Sequence, residues 1–526
     1  MQCASSHGRR SAPQLRSALS LGSILVAAAL SSGCGSVDFD YPKTESWAFE
    51  RTGDTNLGSL VVPLAKEHPG ESGFRLLYDG IDALAARLVL AKYAEKSIDA
   101  QYYLITNDLI GYVFIEALLR AADRGVRVRL LLDDIQTKGY DAGMAGLDSH
   151  PNFEVRIFNP FANRSARFLD AGDFGRVNRR MHNKSFTADN QITIIGGRNI
   201  ANEYFGARED VNFGDIDVIG LGPVVQNVSE MFDTYWNHRA ALPVPAFARM
   251  PEDPEAELVE LRGRIEKAIA EARSSPYAAA LDVDIQKYVE SAGEIYTWAP
   301  YELAHDSPDK VQKELATEAA SITTPLIAAI QRAEEEFVLL SPYFVPLDSG
   351  IEFFRELRER GVEVKVVTNS LATTNHSVVH SGYAPARKPL LEMGVRLFEI
   401  RPDAFVLEEK LRDSDTPLAT LHTKSFNVDR RELFIGSFNW DPRSIDINTE
   451  LGVIIHSTEI ADQAATRLAS ILPNVAYEIV LDDAGKLQWI DRSGDEPVIL
   501  TSEPQTSWWR RFSAGFMQIL PIKGQL

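Results

Sequence analysis

The sequence predicts an α/β protein of two lobes related by a pseudo-twofold axis, each a mixed β-sheet flanked by helices, with an active site where the lobes meet. The first observation behind this is a duplicated polar pattern. His182-Asn183-Lys184-Ser185-Phe186-Thr187-Ala188-Asp189, running on to Gly196-Gly197-Arg198-Asn199, is matched by His422-Thr423-Lys424-Ser425-Phe426-Asn427-Val428-Asp429, running on to Gly436-Ser437-Phe438-Asn439. In both copies Lys follows His by two residues, Asp by seven and Asn by seventeen. The second observation is that helix and strand patterns recur in the same order ahead of each copy, an alternation that gives helix-covered mixed sheets. The third is size, because 526 residues with 45% hydrophobic content fill more than one core.

Taken in chain order, residues 1–33 read as a signal peptide of lipoprotein type. Arg9, Arg10 and Arg16 precede the largely apolar run 19–30, which is too short and wrongly flanked for a stable membrane span. Ser31-Ser32-Gly33 then leads directly to Cys34 and resembles a bacterial lipobox, although Ser31 stands where Leu is usual. Cys34 would thus be the lipidated first residue of the mature chain. The only other cysteine, Cys3, leaves with the signal, which excludes an intramolecular disulfide in the mature chain. Residues 34–70 read as a linker and 71–249 as the first lobe, with a helix over 84–94, a strand over 97–104, a helix over 113–124 stopped by Gly125, and a strand over 126–132. A polar connection, 250–310, is helical over 255–272. The second lobe, 311–480, repeats the order: helix 325–335, strand 337–340, helix 351–360, Gly361, strand 362–367. The charged tract 403–416 reads as a surface loop near the site. In the C-terminal extension, 481–526, Trp508, Trp509, Arg510, Arg511, Phe512, Phe516, Ile519 and Leu520 suit either a helix lying in a membrane interface or a tail docked on its own lobe.

The chemistry begins with alternation. If the motif is a strand, His182, Lys184 and Phe186 share one face, so each copy presents an imidazole beside an ammonium. Two copies meeting at the axis give two His and two Lys around one point, with Asn199, Asn439 and Ser437 at the rim. Such a site is cationic and rich in donors, suited to a phosphate whose charge changes during reaction. The lysines supply the charge and the imidazoles can divide the nucleophilic and acid/base work, so neither metal nor cofactor is expected. Each copy offers one His with no second ligand at a usual zinc spacing. A working imidazole needs a partner on its other nitrogen. The strand following each motif supplies one, Asp215 after the first and Glu450 after the second. Asp217 aligns with Gly452 and is the weaker choice. Asp189 and Asp429 fall on the opposite face of a strictly alternating strand, which gives them ion-pair or turn roles.

The doubled H-x-K-x4-D followed by G-G/S-x-N resembles the phospholipase D superfamily, and two copies in one chain look like its two-lobed members. The resemblance implies that His182 and His422 are the reacting residues, with His182 attacking phosphorus to form a phosphohistidine and His422 serving as acid and base. It implies that Lys184, Lys424, Asn199 and Asn439 bind the phosphoryl oxygens, that Asp215 and Glu450 orient the imidazoles, and that Asp189 and Asp429 belong with the site. Gly196-Gly197 departs from the usual Gly-Ser, so only the second copy offers a serine hydroxyl. Gln101-Tyr-Tyr103, the 124–134 run, Ser341-Pro-Tyr-Phe-Val-Pro346, His380-Ser-Gly-Tyr383 and Ile435-Gly-Ser-Phe-Asn-Trp-Asp-Pro-Arg443 narrow it to bacterial cardiolipin synthases of the C type, from about residue 70 onward. Such enzymes transfer a phosphatidyl group to the hydroxyl of phosphatidylglycerol. Hydrolysis by a phospholipase D would use the same motifs.

A formal charge of −20 argues against a nucleic-acid phosphodiesterase and means that attraction to anionic lipid must be local or covalent. The expected partners are phospholipid substrates and a membrane surface. Arg176, Arg179 and Arg180 form one candidate headgroup set; His376, His380, Tyr383, Arg387 and Lys388 form a second. The signal places the chain in a bacterial cell envelope. Gly35 and Ser36, lacking the aspartate associated with inner-membrane retention, favour the outer membrane. The sequence does not speak to the donor lipid or the oligomeric state.

Overall fold

A computed structural model describes residues 37–208, 211–290, 296–312, 320–404 and 418–517, so Cys34, Ile519, Leu520 and most of the 403–416 tract lie outside the described residues. The strands of the first lobe are β1 (Ser72–Leu77), β2 (Ser97–Tyr102), β3 (Arg127–Asp133), β4 (Phe153–Phe158), β5 (Ser185–Ala188), β6 (Ile192–Gly196), β7 (Val211–Gly214), β8 (Asp217–Leu221), β9 (Ala241–Pro243) and β10 (Thr297–Ala299). All but β7 form one sheet in the order β10-β1-β8-β6-β5-β2-β3-β4-β9. The second lobe contains β11 (Tyr301–His305), β12 (Glu336–Leu340), β13 (Glu363–Asn369), β14 (Arg396–Ile400), β15 (Leu418–Leu421), β16 (Ser425–Val428), β17 (Glu432–Gly436), β18 (Leu451–His456), β19 (Ala476–Leu481), β20 (Leu487–Asp491) and β21 (Val498–Leu500). Its sheet runs β11-β18-β17-β16-β12-β13-β14-β19-β20-β21. The blocks β8-β6-β5-β2-β3-β4 and β18-β17-β16-β12-β13-β14 correspond strand for strand, each with two parallel pairings among antiparallel ones.

Helices α1 (Asn56–Glu67), α2 (Gly80–Tyr93), α3 (Leu109–Asp123), α4 (Asp141–Asp148) and α5 (Pro223–Asn237) cover the first sheet, followed by α6 (Pro254–Ala272) and α7 (Pro276–Glu290). Asp79 caps α2 and Asp108 caps α3 by accepting from free first-turn amides. The second lobe carries α8 (Thr323–Gln331), α9 (Leu347–Glu359), α10 (Ser377–Tyr383), α11 (Thr458–Val475) and α12 (Trp508–Met517). Gly125 and Gly361 take positive φ where α3 and α9 turn into β3 and β13, a conformation that costs glycine little.

The predicted connection 250–310 is part of both lobes. Helices α6 and α7 lie against α4 and α2, while β10 joins the first sheet and β11 the second. Likewise 34–70 contains α1, and the C-terminal extension adds β20 and β21 to the second sheet.

Alternation explains why the lobes adhere. In β6, Ile194 enters the core under the first lobe's own helices, whereas Ile195 joins Val218, Leu433, Ile435, Leu451 and Val453 in a core shared between the sheets. In β17, Phe434 faces inward to its own lobe, with Leu433 and Ile435 facing across. Strands buried on both faces read as near-continuous apolar runs, and Ile192–Gly196 is interrupted only by Thr193, whose hydroxyl bonds that of Thr187.

Candidate active site

The motif strands begin at Ser185 and Ser425, so each His and Lys sits on the extended approach to its strand rather than within it. This frees their backbone to bond with the other lobe. His182 N donates to Thr449 O (2.8 Å), and Thr449 N donates back to Arg180 O (2.9 Å). His422 N and Thr423 N both donate to Gly214 O, at 2.8 and 3.1 Å. Just ahead of them, β15 pairs in parallel with β7, setting Leu421 against Gly214. Each histidine is therefore registered beside the residue that follows its cross-lobe partner, Glu450 for His182 and Asp215 for His422.

The side chains complete this exchange. His182 Nδ1 lies 2.8 Å from Glu450 Oε2 and His422 Nδ1 lies 2.6 Å from Asp215 Oδ2. The sequence places each carboxylate after its own motif; the fold hands each to the opposite histidine. Glu450 also accepts from Ser437 Oγ and from Ser444 Oγ (2.7 Å), and its backbone N donates to Asp306 Oδ2 (2.9 Å). Asp306 in turn pairs with Lys310 at 3.0 Å. Asp215 accepts the amide of Ile216 (2.8 Å) and stands against Gly197, where a Cβ would fall 2.3 Å from Asp215 Oδ1. The Gly-Gly of the first copy thus makes room for a shorter carboxylate.

Both imidazoles are buried, with Tyr103 edge-on to His182 and Tyr204 edge-on to His422, each at 4.9 Å. Phe213 stacks on His422 at 5.4 Å. Burial lowers His182 to about 4, with Glu450 resisting and Lys184 adding to the drop. Burial, then Lys424, brings His422 down to about 3 against the pull of Asp215. Burial would raise Asp215, but His422, Lys424 and Arg198 outweigh it and leave the carboxyl at about 2. Glu450 is likewise held below its usual range by His182 and Lys184 against the cost of burial. Burial depresses Lys184 strongly and brings Lys424 to about 8. At neutral pH the resting site holds two neutral imidazoles and two carboxylates. With an ionised carboxylate at each Nδ1, the ring proton belongs there and the Nε2 lone pair is left free. Lys424 Nζ, 2.9 Å from His422 Nδ1, donates to His422 O, and Lys184 Nζ donates to His182 O at 2.6 Å. Such a cluster can attack phosphorus with one imidazole, move a proton with the other and neutralise phosphoryl oxygens with the lysines.

The remaining predicted residues divide. Asn199 Nδ2 lies 3.0 Å from Tyr204 Oη, and Oδ1 of both Asn199 and Asn439 is buried without a partner among the described residues. The catalytic placing of Asp189 and Asp429 is corrected. Asp189 accepts from the amides of Glu95, Lys96 and Ser97, and Asp429 from those of Glu334, Glu335 and Glu336, so both tie the turn at the far end of the motif strand to the start of β2 or β12. Ser437, expected at the phosphate, donates its hydroxyl to Glu450 in this structure. Asp217 is taken by Arg87 at 2.8 Å.

Of the headgroup candidates, the structure places His380, Tyr383, Arg387 and Arg180 inside the protein and leaves His376 and Lys388 exposed. His380, Tyr383 and Arg387 are buried, and Arg387 binds Glu399 (2.8 Å), Glu503 (2.6 Å) and His380 Nε2 (2.8 Å). Glu503 arrives from the C-terminal extension, beyond what local charge patterning can reveal. His376 is exposed, its ring 5.6 Å from Tyr343. Lys388 faces solvent near Glu392. Arg180 is buried against Asp133 and Asn159 O, Arg176 binds Asn159 and Pro160 O, and Arg179 donates to Lys310 O and Asp446 O, linking the lobes. Sequence reasoning missed Ser444, Asp306 and Tyr204 as parts of the site. Asp306 meets Glu450 through the β11–β18 pairing and Ser444 folds back on it from the turn after β17, whereas Tyr204 reaches His422 from the other lobe.

Among the described residues, no three His, Cys, Asp or Glu side chains gather as a metal-binding group. A family model described as "Cardiolipin synthase, PLD-like domain" matches residues 88–236 and 326–472, one span per lobe. The chain is 39% identical over 477 residues to cardiolipin synthase C of Escherichia coli K12, covering 89% of this chain and 99% of that protein. It is 25% identical over 423 residues to cardiolipin synthase A of Pseudomonas putida W619, covering 80% and 72%. A phosphatidylserine synthase from Haemophilus influenzae Rd KW20 shares the fold, with a TM-score of 0.56 at 13% identity over 88% of this chain and 98% of that one. With the duplicated motif in both lobes and this likeness along nearly its whole length, the chain belongs to the PLD-like cardiolipin synthase family of the phospholipase D superfamily.

Proposed function

We propose that the protein makes cardiolipin by transferring a phosphatidyl group from a phospholipid donor to phosphatidylglycerol through a phosphohistidine. The observation that carries the chemistry is the crossed pair, two neutral imidazoles each held at Nδ1 by the other lobe's carboxylate beside two buried lysines. His182 Nε2 attacks phosphorus, the role the N-terminal motif takes in the family; His422, which takes up a proton from solvent at Nε2 when the phosphate anion binds beside it, passes that proton to the departing alcohol oxygen as the P–O bond breaks. The acceptor hydroxyl then loses its proton to His422 and attacks phosphorus, breaking the P–N bond. Likeness to cardiolipin synthases over most of the chain supports lipid substrates and transfer over hydrolysis. The test is incubation with phosphatidylglycerol, alone and with phosphatidylethanolamine, with products identified by mass spectrometry. Cardiolipin is expected, whereas phosphatidic acid alone would make the protein a phospholipase. Turnover should persist after exhaustive chelation, and recovery by one divalent ion at catalytic stoichiometry would contradict this. A phosphatidylated 181–186 peptide from acid-quenched His422→Asn protein would identify the nucleophile; one containing His422, trapped in His182→Asn, would reverse the assignment.

The protein works at a membrane surface of the bacterial envelope, held by lipid on Cys34, with the outer membrane favoured. Supporting this, α12 docks beside α10 through Ala514 and leaves Trp508, Trp509, Phe512 and Phe516 exposed, while Arg510 donates to Thr374 O. The neighbouring Asn375 accepts from Tyr343 Oη. Replacing the four aromatics by Ala should lower vesicle binding without altering the melting temperature. Mass spectrometry of the mature N-terminus tests the lipid.

A further inference from the structure

Behind His422, on the Nδ1 side that Asp215 holds, a cavity of about 250 Å³ lies between the second lobe's sheet, α11 and first-lobe residues that include Tyr78, Tyr204, Phe213 and Asp215. Val338, Leu340, Leu421, Leu468, Ile471 and Val475 form its apolar wall on the second-lobe side. A second space of about 200 Å³ continues it along the same helix and shares Val338, Val367, Ala465 and Leu468 with it. Much of its polar lining is engaged within the protein: Asn427 donates to Ala461 O, Thr423 to Gly214 O, Arg198 to Leu77 O and Asp215 O, and Asp215 holds His422. The first lobe shows that such a space need not stay open. Under α5 the equivalent region is filled by Trp236 over Arg156 and by Phe232 over Arg129, and Ser46 enters to bind Trp236 Nε1 and Arg129. With the starts of the two helices aligned, α11 carries Arg467 and Ile471 at the places of Phe232 and Trp236, with the small Ala464 and Ala465 just before them, and among the described residues no chain segment enters. At the mouth Arg467 stands over the Tyr78 ring at 4.6 Å, makes no ion pair among the described residues, and leaves Tyr78 Oη buried without a partner.

An apolar void of this size gains little from water and much from hydrocarbon, and a cation beside an unpartnered hydroxyl at its entrance suits an anionic head. We propose that this cavity binds one hydrocarbon chain of an anionic amphiphile, its head at Arg467 and Tyr78. The chain would come from a free fatty acid or from a phospholipid, and its far wall includes Phe213, the ring stacked on His422. The test uses the purified full chain with palmitate carrying a diazirine at the chain end, and separately with phosphatidylglycerol carrying the same chain. Photolabelling is expected on peptides containing 336–340 or 468–475, reduced at least fivefold in Ala465→Phe, which fills the space, and with palmitate affinity about tenfold weaker in Arg467→Glu. Label from palmitate identifies a free amphiphile and label from the phospholipid alone identifies a lipid tail; either upholds the site. Labelling that is unchanged in Ala465→Phe, or confined to 508–517, overturns it. Val338→Phe serves if Ala465→Phe fails to fold. Because labelling needs no turnover, its failure is distinguishable from failure of the transfer assay.

Discussion

At the scale of single residues, the site depends on protons kept in unusual places. Two imidazoles stay neutral far below their ordinary range because burial and neighbouring lysines penalise a second charge. Each then has one task, so His182→Ala and His422→Ala should each lose at least about 10³-fold in kcat with an unchanged melting temperature. Product formation at the wild-type rate by either variant would remove the two-histidine mechanism. The lysines set the alkaline side. Lys424, brought to about 8, is charged below that value and loses its charge above it. kcat/KM should therefore fall by about tenfold per unit above pH 8. In Lys424→Arg the plateau should drop but the alkaline fall should disappear from that range, because guanidinium does not titrate there. An unmoved fall would assign it to another group.

At the scale of elements, alternation works within strands and fails at their ends. The apolar residues of β6 and β17 divide between cores as a two-residue period requires. The histidines precede their strands, so their direction comes from pairing with the other lobe rather than from pleat. Asp189 and Asp429 repeat at the same offset as the catalytic residues but serve the turn that starts each strand pairing, which is why a conserved spacing within the repeat marks them without making them reactive. The Gly-Gly and Gly-Ser difference also becomes legible at this scale. In Gly197→Ala the new Cβ must displace Asp215, and misplacing an orienting group by about 1 Å costs on the order of 10²-fold. Ser437→Ala should cost less, because Glu450 keeps Ser444. Comparing kcat/KM of the two variants checks this order, and equal losses would contradict it.

At the scale of the whole molecule, neither lobe owns a complete site. The first supplies His182 with Asp215 and the second His422 with Glu450, and each histidine is oriented by the other lobe. A mixture of His182→Ala and His422→Ala proteins should remain inactive, because every reacting group comes from one chain. Recovery of more than a few per cent of wild-type turnover would require lobes to exchange between chains.

The sequence by itself determined the two-lobed α/β fold, the paired His-Lys motifs and the two carboxylates that meet the histidines, because duplication, periodicity and local spacing are properties of the chain. Helix limits followed to within a few residues, as in 84–94 against Gly80–Tyr93. Only the tertiary structure decided which carboxylate serves which histidine, since that depends on β7 meeting β15 and on Thr449 meeting Met181, contacts between segments that lie far apart in the chain. It also decided that Arg387 and His380 close a buried network with Glu503 rather than meet a headgroup. A charged side chain reads alike in sequence whether it faces water or a distant partner, and only folding brings the partner to it.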